Sequence, residues 1–197
     1  MITSDREICF NSLPYKLNSL LGRGADGEVW SLQDHPNKVI KICVLYDLYS
    51  SINQDFLLIE SLLNELRCTD IHAYVNIHWW GKIYEGYRNT ISGSQKYILY
   101  YYVMDKLLPI SQDEQKLFHT LLSHEDRNLI KEFSLTYVNN MLDELKGYLQ
   151  FDKDKIINFL IELKDSKLKQ TDLHPRNIMK SKSDNYKIID IDRCVFK

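Results

Sequence analysis

Asp172, Asn177 and Asp190 carry the clearest chemical signal in this 197-residue chain. They belong to the stretch Gln170-Thr171-Asp172-Leu173-His174-Pro175-Arg176-Asn177-Ile178-Met179, followed by Lys187-Ile188-Ile189-Asp190. An acid, an amide five residues on, and a second acid after a short apolar strand form a base-and-metal arrangement. In that chemistry Asp172 takes the proton of an acceptor hydroxyl, and Asn177 and Asp190 hold Mg²⁺ against the phosphates of ATP. Leu173, Ile178 and Met179 are apolar, as a loop anchored on a core requires. The bland alternative is a turn in which Asp172 and Asn177 only cap backbone groups.

Such chemistry needs elements that hold phosphates, and the first part of the chain offers them. Leu17 to Trp30 reads as strand, turn, strand, with the turn Gly22-Arg23-Gly24-Ala25-Asp26-Gly27. Glycines at these spacings let backbone N–H groups close over phosphates without interference from a Cβ. A plain hairpin is equally compatible with a lone G-x-G-x-x-G. A dinucleotide-binding fold needs a helix after the glycines, whereas Glu28-Val29-Trp30-Ser31-Leu32 has strand character. The next strand, Lys38-Val39-Ile40-Lys41-Ile42-Cys43-Val44, carries a lysine inside a β-branched run. A lysine there is costly unless it is paired. Lys41 is the expected phosphate and carboxylate partner, with Lys38 the alternative register. Helical apolar spacing then runs from Gln54 to Cys68 through Phe56, Ile59, Leu62, Leu63 and Leu66. Glu60 and Glu65, five apart, point to different faces, so only one can pair with the strand lysine. Glu65 is slightly favoured.

Ile77 to Tyr84 and Tyr97 to Met104 read as two strands joined by a polar turn that contains Gly86, Asn89 and Gly93. The apolar strand end passes into Asp105-Lys106-Leu107-Leu108-Pro109, a short linker of the kind that joins two lobes. From Ser111 to Lys167 the chain reads as helical. Ser111 and Glu114 form a capping box ahead of Leu117, Phe118, Leu121 and Leu122. A longer helix presents Leu129, Ile130, Phe133, Tyr137, Val138, Met141, Leu142, Leu145 and Leu149 to a core. Asp152 caps a third, which carries Ile156, Ile157, Leu160 and Leu163. His119 and His124 have no metal-ligand pattern and read as surface or packing residues.

Composition bounds the rest. A hydrophobic share of 44% with 26% charged residues excludes a disordered chain. The net charge of −2 gives no basis for binding nucleic acid or membrane through bulk charge. Cys9, Cys43, Cys68 and Cys194 are scattered without a C-x-x-C pair, which points to reduced thiols and a cytoplasmic setting rather than zinc or disulfides. The start has no signal-peptide pattern, and no apolar run is long enough to span a membrane.

Glycine turn, strand lysine, helix glutamate, linker, helices, Asp-Leu-His-Pro-x-Asn loop and final Asp190 together resemble the protein kinase-like superfamily over nearly the whole chain. The resemblance implies an α+β, bilobal fold: an antiparallel-sheet N-lobe (about residues 1–104), a hinge (about 105–110) and a reduced helical C-lobe (about 111–197). It implies ATP and Mg²⁺ as cofactors. Gly22, Gly24, Gly27 and Val29 would cover the nucleotide, Lys41 and Glu65 would position its phosphates, and Asp105 and Leu107 would line the adenine hinge. Asp172 would be the catalytic base, with Lys41 beside it in catalysis, and Asn177 and Asp190 the magnesium ligands. The implied activity is a minimal Ser/Thr protein kinase acting on host or self proteins.

Three departures from the family pattern shape the expectations. Gln170-Thr171 stands where His-Arg is usual, so activation by loop phosphorylation is not expected. Asp190-Ile191-Asp192 replaces Asp-Phe-Gly, so Asp192 is a further magnesium contact or a turn residue. The sequence ends at Lys197, so the activation segment and the peptide-binding helices after it are expected to be missing. His174 also resembles the loop of aminoglycoside and choline phosphotransferases, which keeps a small-molecule acceptor open. A partner-docking, ATP-binding pseudokinase is the other alternative. The turn at His35-Pro36-Asn37 and the Asn177-Ile178-Met179 ending resemble short phage kinases, and the economy of the chain resembles bacterial effector kinases. The expected protein is a monomer that takes a protein substrate or an activating protein partner through the helices between Ser111 and Gln150.

Overall fold

The computed structural model describes residues 12–24, 27–47, 51–69, 71–91, 93–123, 134–171 and 173–196. The chain divides into two units, Met1–Thr69 with Asn76–Lys106, and Asp70–Val75 with Leu107–Lys197. Among the described residues no helix is long and apolar enough to cross a membrane.

The first unit is an antiparallel sheet with one helix on it. Its strands are β1 (Leu17–Arg23), β2 (Gly27–Leu32), β3 (Lys38–Tyr46), β4 (Ile77–Thr90) and β5 (Gly93–Asp105), and the helix is α1 (Ile52–Cys68). Spatially the order is β1-β2-β3-β5-β4, so β3 is central. Its β-branched run suits that place, because both faces of β3 are covered and side chains alternate between them. One face joins Ile40 and Ile42 to Leu32, Leu99 and Val103 in the sheet's main apolar cluster. Each such side chain contributes about 1.5–3 kcal/mol on burial. The other face carries Val39, Lys41 and Cys43 and is the one α1 covers. Phe56 of α1 meets the Tyr100 ring edge-on at 5.7 Å, and Tyr100 lies opposite Cys43. Trp80, opposite Tyr102, donates its indole N–H to Asn64 of α1 at 3.1 Å.

The β4–β5 hairpin is longer than the sequence predicts. Pairing runs without a wide polar turn to Thr90↔Gly93, so Gly86 and Asn89 are strand residues. The polar groups that suggested a turn satisfy one another across the sheet. Arg88 donates to Gln95 through Nε at 2.9 Å and lies 3.7 Å over the Tyr46 ring, and Gln95 donates to the Asp47 carbonyl at 2.9 Å. Gly93, with φ of 123°, takes the positive-φ position that the tight reversal needs.

The second unit holds α2 (Gln112–Ser123), α3 (Leu135–Leu145) and α4 (Lys153–Asp165) with short strands. β6 (Leu108–Pro109), β8 (Ile178–Lys180) and β9 (Tyr186–Ile188) form one small sheet, and β7 (Leu168–Gln170) pairs with β10 (Cys194–Phe196) in another. The predicted capping box forms: Ser111 N donates to Glu114 Oε2 at 2.8 Å and Glu114 N to Ser111 Oγ at 3.2 Å. Asp152 caps α4 as predicted, accepting from Lys155 N. The middle helix is described from Leu135, after a Ser134 cap, and Leu129, Ile130 and Phe133 lie outside the described residues. Tyr137, predicted for the core, is instead 48% exposed. On α4 the buried aromatic is Phe159, whose ring meets those of Phe118 and Tyr186 at 5.8 and 5.7 Å. Phe159 joins Ile156, Leu160 and Leu163 on the buried face of α4, while Ile157 is only half-buried.

A charge chain runs beneath these helices. Buried Glu114 accepts from Tyr186 Oη at 2.5 Å and Lys180 Nζ at 2.6 Å, and Lys180 also pairs with Asp184 at 2.7 Å. Asp184 in turn pairs with Lys155 of α4. Burial pushes the Glu114 carboxyl up, but the bonds from Lys180, Tyr186 and Ser111 outweigh it and hold it below its ordinary value. A depressed carboxyl contributes stability above its unfolded-state pKa and loses it as pH falls through the lower folded value. The urea midpoint read by far-UV circular dichroism should therefore fall as pH drops below the ordinary 4.5, and Glu114→Gln should flatten that dependence. A second expectation concerns the β2–β3 pair. A Cβ on Gly27 would sit 2.1 Å from the Ile42 carbonyl oxygen, whereas nothing lies within 4 Å of one on Gly24. Gly27→Ala should cost about 1–3 kcal/mol in the same unfolding measurement, and Gly24→Ala within about 0.5 kcal/mol.

Candidate functional site

Among the described residues of the first unit, the glycine turn is closed by the bond from Gly24 N to the Gly27 carbonyl at 2.9 Å. Ala25 and Asp26 lie outside the described residues. The turn's base is anchored by Glu28, only 4% exposed, which accepts from Arg23 Nε at 2.9 Å and from the Trp30 indole at 3.2 Å. Gly22 faces Val29 across the β1–β2 ladder, and Val29 faces Lys41 across the β2–β3 ladder. Turn, Val29 and Lys41 are thus neighbours through backbone pairing alone. The glycines differ in their reasons: open space surrounds Gly22 and Gly24, while Gly27 is required by the approach of β3.

The two strand lysines have opposite surroundings. They are three residues apart, so strand alternation sends them to opposite faces. Lys41 is half-buried on the face that α1 covers, its Nζ 5.7 Å from the Tyr102 ring. Lys38 stacks on the other side, 3.9 Å over the Trp79 ring. Glu60 and Glu65 are both half-buried on α1. Glu65 accepts from Thr69 Oγ1 at 3.2 Å. At the end of β5 the Asp105 carboxylate is held by His78 Nε2 at 2.7 Å and Asn76 Nδ2 at 2.9 Å. Neither His78 nor Asn76 carried any signal in the sequence, since both are distant from Asp105 along the chain. Leu107 belongs to the second unit and is half-buried just before β6.

In the second unit Asp172 lies outside the described residues, while both proposed metal ligands are described. His174 starts a single tight turn, Pro175–Asn177, by accepting from Arg176 N through Nδ1 at 3.1 Å. Asn177 N closes that turn onto the His174 carbonyl at 2.9 Å, and Ile189 N donates to the Asn177 carbonyl at 3.0 Å. These bonds bring the Asn177 side chain, 8% exposed, beside Asp190, with Nδ2 3.5 Å from Oδ2.

Gln170 is the residue whose role sequence reasoning missed. Its buried amide donates from Nε2 to the Asp190 carbonyl at 2.6 Å. Its Oε1 accepts from Thr171 N at 3.0 Å and from Cys194 Sγ at 3.6 Å. One side chain therefore ties the start of the loop to the backbone of the distal acid. The available signal was an uncharged amide two residues before Asp172 in an otherwise strand-like run. Burial, with the charges of Asp192 and Asp190 nearby, pushes the Cys194 thiol up to about 12, so it stays protonated and able to donate.

The donor chemistry of this pair suits a hard divalent cation. The side-chain oxygens of the pair, the Asn177 amide carbonyl and the Asp190 carboxylate, are of the hard donor type that such a cation takes. Mg²⁺ is typically held by one or two carboxylates, with waters and phosphate oxygens completing the octahedron. Among the described residues no group of three or more His, Cys, Asp or Glu side chains forms a metal cage.

No family model and no curated protein matches the chain. Among solved structures it is similar to the ROP18 kinase domain in complex with AMP-PNP and sucrose, at a TM-score of 0.50 and 12% sequence identity. The likeness covers 92% of this chain and 52% of that one, so the chain spans about half the length of that domain. At such identity the likeness speaks to fold alone: the chain has an α+β, protein kinase-like fold with an antiparallel-sheet N-terminal region.

Proposed function

We propose that the chain is an ATP- and Mg²⁺-dependent phosphotransferase, and that it transfers the γ-phosphate to Ser or Thr hydroxyls of a protein. The observation that carries this reading is the Asn177–Asp190 pair, held side by side by the Gln170 amide and the Ile189–Asn177 backbone bond. The nucleotide class is supported by the AMP-PNP bound to the similar kinase domain. A divalent cation at this pair would supply positive charge that offsets the charge developing on the phosphates. Asn177 and Asp190 would hold it through their side-chain oxygens. The open space beside Gly22 and Gly24 leaves room for phosphates to approach the turn. Lys41, on the helix-covered face, fits the phosphate-binding lysine better than Lys38, whose ammonium is taken up by Trp79. Glu60 and Glu65 are the two half-buried carboxylates on that helix, and either would orient it.

Asp172 is the base in this reading. It accepts the hydroxyl proton as the acceptor oxygen bonds to the γ-phosphorus, and the bond from that phosphorus to the β,γ-bridging oxygen breaks to release ADP. Little covalent chemistry falls to the protein, so positioning and charge account for most of the rate.

Nucleotide binding is tested without any acceptor. Melting temperature should rise by a few degrees with saturating ATP and Mg²⁺, since a ligand at a hundred times its Kd contributes about 2.7 kcal/mol. Asp190→Ala should abolish the Mg²⁺-dependent part. A folded wild-type sample with no shift at millimolar nucleotide overturns the nucleotide site. Transfer itself is read with radiolabelled ATP on a mixed protein substrate. Lys41→Ala and Asp172→Ala should each lower the rate by about 10²–10³ or more, whereas Lys38→Ala should retain activity. Loss of activity in Lys38→Ala with Lys41→Ala active would put the site in the other register.

A further inference from the structure

The second unit bears a groove of about 640 Å³ beside the loop that carries Asn177. Its walls are Gln115, Lys116, His119 and Thr120 of α2 and, from the loop, His174 and Arg176. The helix residues fall into two pairs spaced four apart, so they share one face. Glu114, Leu117 and Phe118 turn the opposite way and are buried. The groove is thus a deliberate polar face of α2 set against the loop, with the apolar face committed to the core.

The chemistry of that lining is one-sided. Lys116 and Arg176 are cations, Gln115 offers amide hydrogens, and both imidazoles can donate. His174 accepts from Arg176 N through Nδ1, so its ring proton is on Nε2 and that nitrogen is a donor. No carboxylate is part of the lining among the described residues. The nearest acid on α2, Asp113, lies 3.8 Å from Lys116 but also accepts from Gln150 N at 3.1 Å, so it only partly offsets that ammonium. The Arg176 guanidinium has no carboxylate partner among the described residues. The whole chain has a net charge of −2, so this local positive field is not a bulk property.

We propose that the groove is an anion subsite for the acceptor. It takes a carboxylate or phosphate group on an acidic protein segment, and so selects hydroxyls that lie near acidic or already phosphorylated residues. This rests on the phosphotransferase reading only for the word acceptor, because anion binding stands without it. The chemistry shared by Asp, Glu and phosphoserine is a compact anion with several acceptor oxygens, which cationic side chains and N–H donors bind. Tyr186 and Glu114 keep α2 seated while its outer face binds, since their bonds are on the buried side.

The test uses the full chain, without nucleotide, and fluorescein-labelled peptides of equal length read by anisotropy. One peptide is Glu/Asp-rich, one carries phosphoserine, one is neutral and one is Lys-rich. The acidic or the phosphoserine peptide should bind at least about tenfold more tightly than the neutral one, and added salt should weaken it. Whichever of the two binds better identifies the source of the anion. Lys116→Glu and Arg176→Glu should each remove the preference in samples whose circular dichroism matches wild type, and Lys116→Arg should keep it. Equal binding of acidic and neutral peptides, or a preference that survives both charge reversals, overturns the proposal. So does tighter binding of a single-stranded RNA oligonucleotide than of either anionic peptide. A chain that binds acidic peptides yet transfers no phosphate sinks the enzymatic reading and leaves the groove standing. A chain that phosphorylates acidic and neutral peptides with the same kcat/KM does the reverse.

Discussion

A single buried amide holds the candidate chemistry of the second unit together. Gln170 bonds the Asp190 carbonyl, the Thr171 amide and the Cys194 thiol at once. A group with two donors and an acceptor is suited to this, because each of its contacts lies in a different strand or loop. An apolar replacement would remove the donor to the Asp190 carbonyl, and the loss of one such intramolecular hydrogen bond costs about 0.5–1.5 kcal/mol. The Asn177–Asp190 pair depends on this bond together with the Ile189–Asn177 backbone bond. The closeness of this pair is a consequence of backbone satisfaction, not of charge attraction, since amide and carboxylate would drift apart in water.

The rest of that unit supports the loop from behind. Glu114 belongs at once to the cap of α2 and to the buried contact with Tyr186 and Lys180. A buried carboxylate is tolerated because three donors replace its water. Through Lys180, on the same short strand that follows Asn177, the helix that lines the groove is coupled to the loop that carries Asn177. Residues 71–75 add an edge to the same small sheet. Tyr74 bridges Ile188 in parallel and reaches the Leu168 carbonyl at 3.3 Å.

In the first unit the organising constraint is the period of a strand. β3 is buried on both sides, so a charge in it must find a special environment on whichever face it occupies. Lys38 finds the Trp79 ring and Lys41 the Tyr102 side beneath α1. The helix thereby separates two lysines that look alike in the sequence.

What the amino-acid sequence determined by itself was local and periodic. Ser111 with Glu114 and Asp152 with Lys155 specify helix starts over three or four residues, and the alternation of β3 and the stripe Phe56, Leu62, Leu63, Leu66 specify faces. The order of turn, lysine, helix and acid-amide-acid loop was legible for the same reason, since each piece is a short-range pattern. Only tertiary structure decided the remainder. The polar stretch around Gly86 and Asn89 became strand because Arg88, Gln95 and Tyr46 satisfy one another across the sheet. Tyr137 faces outward because the core space went to Phe118, Phe159 and Tyr186. Gln170 reads as an unremarkable amide until Asp190 is folded back against it. The basic groove needs residues 115–120 and 174–176 side by side, and no spacing rule links segments so far apart. Local rules reach about one turn of helix or one strand pair; beyond that, packing chooses the neighbours.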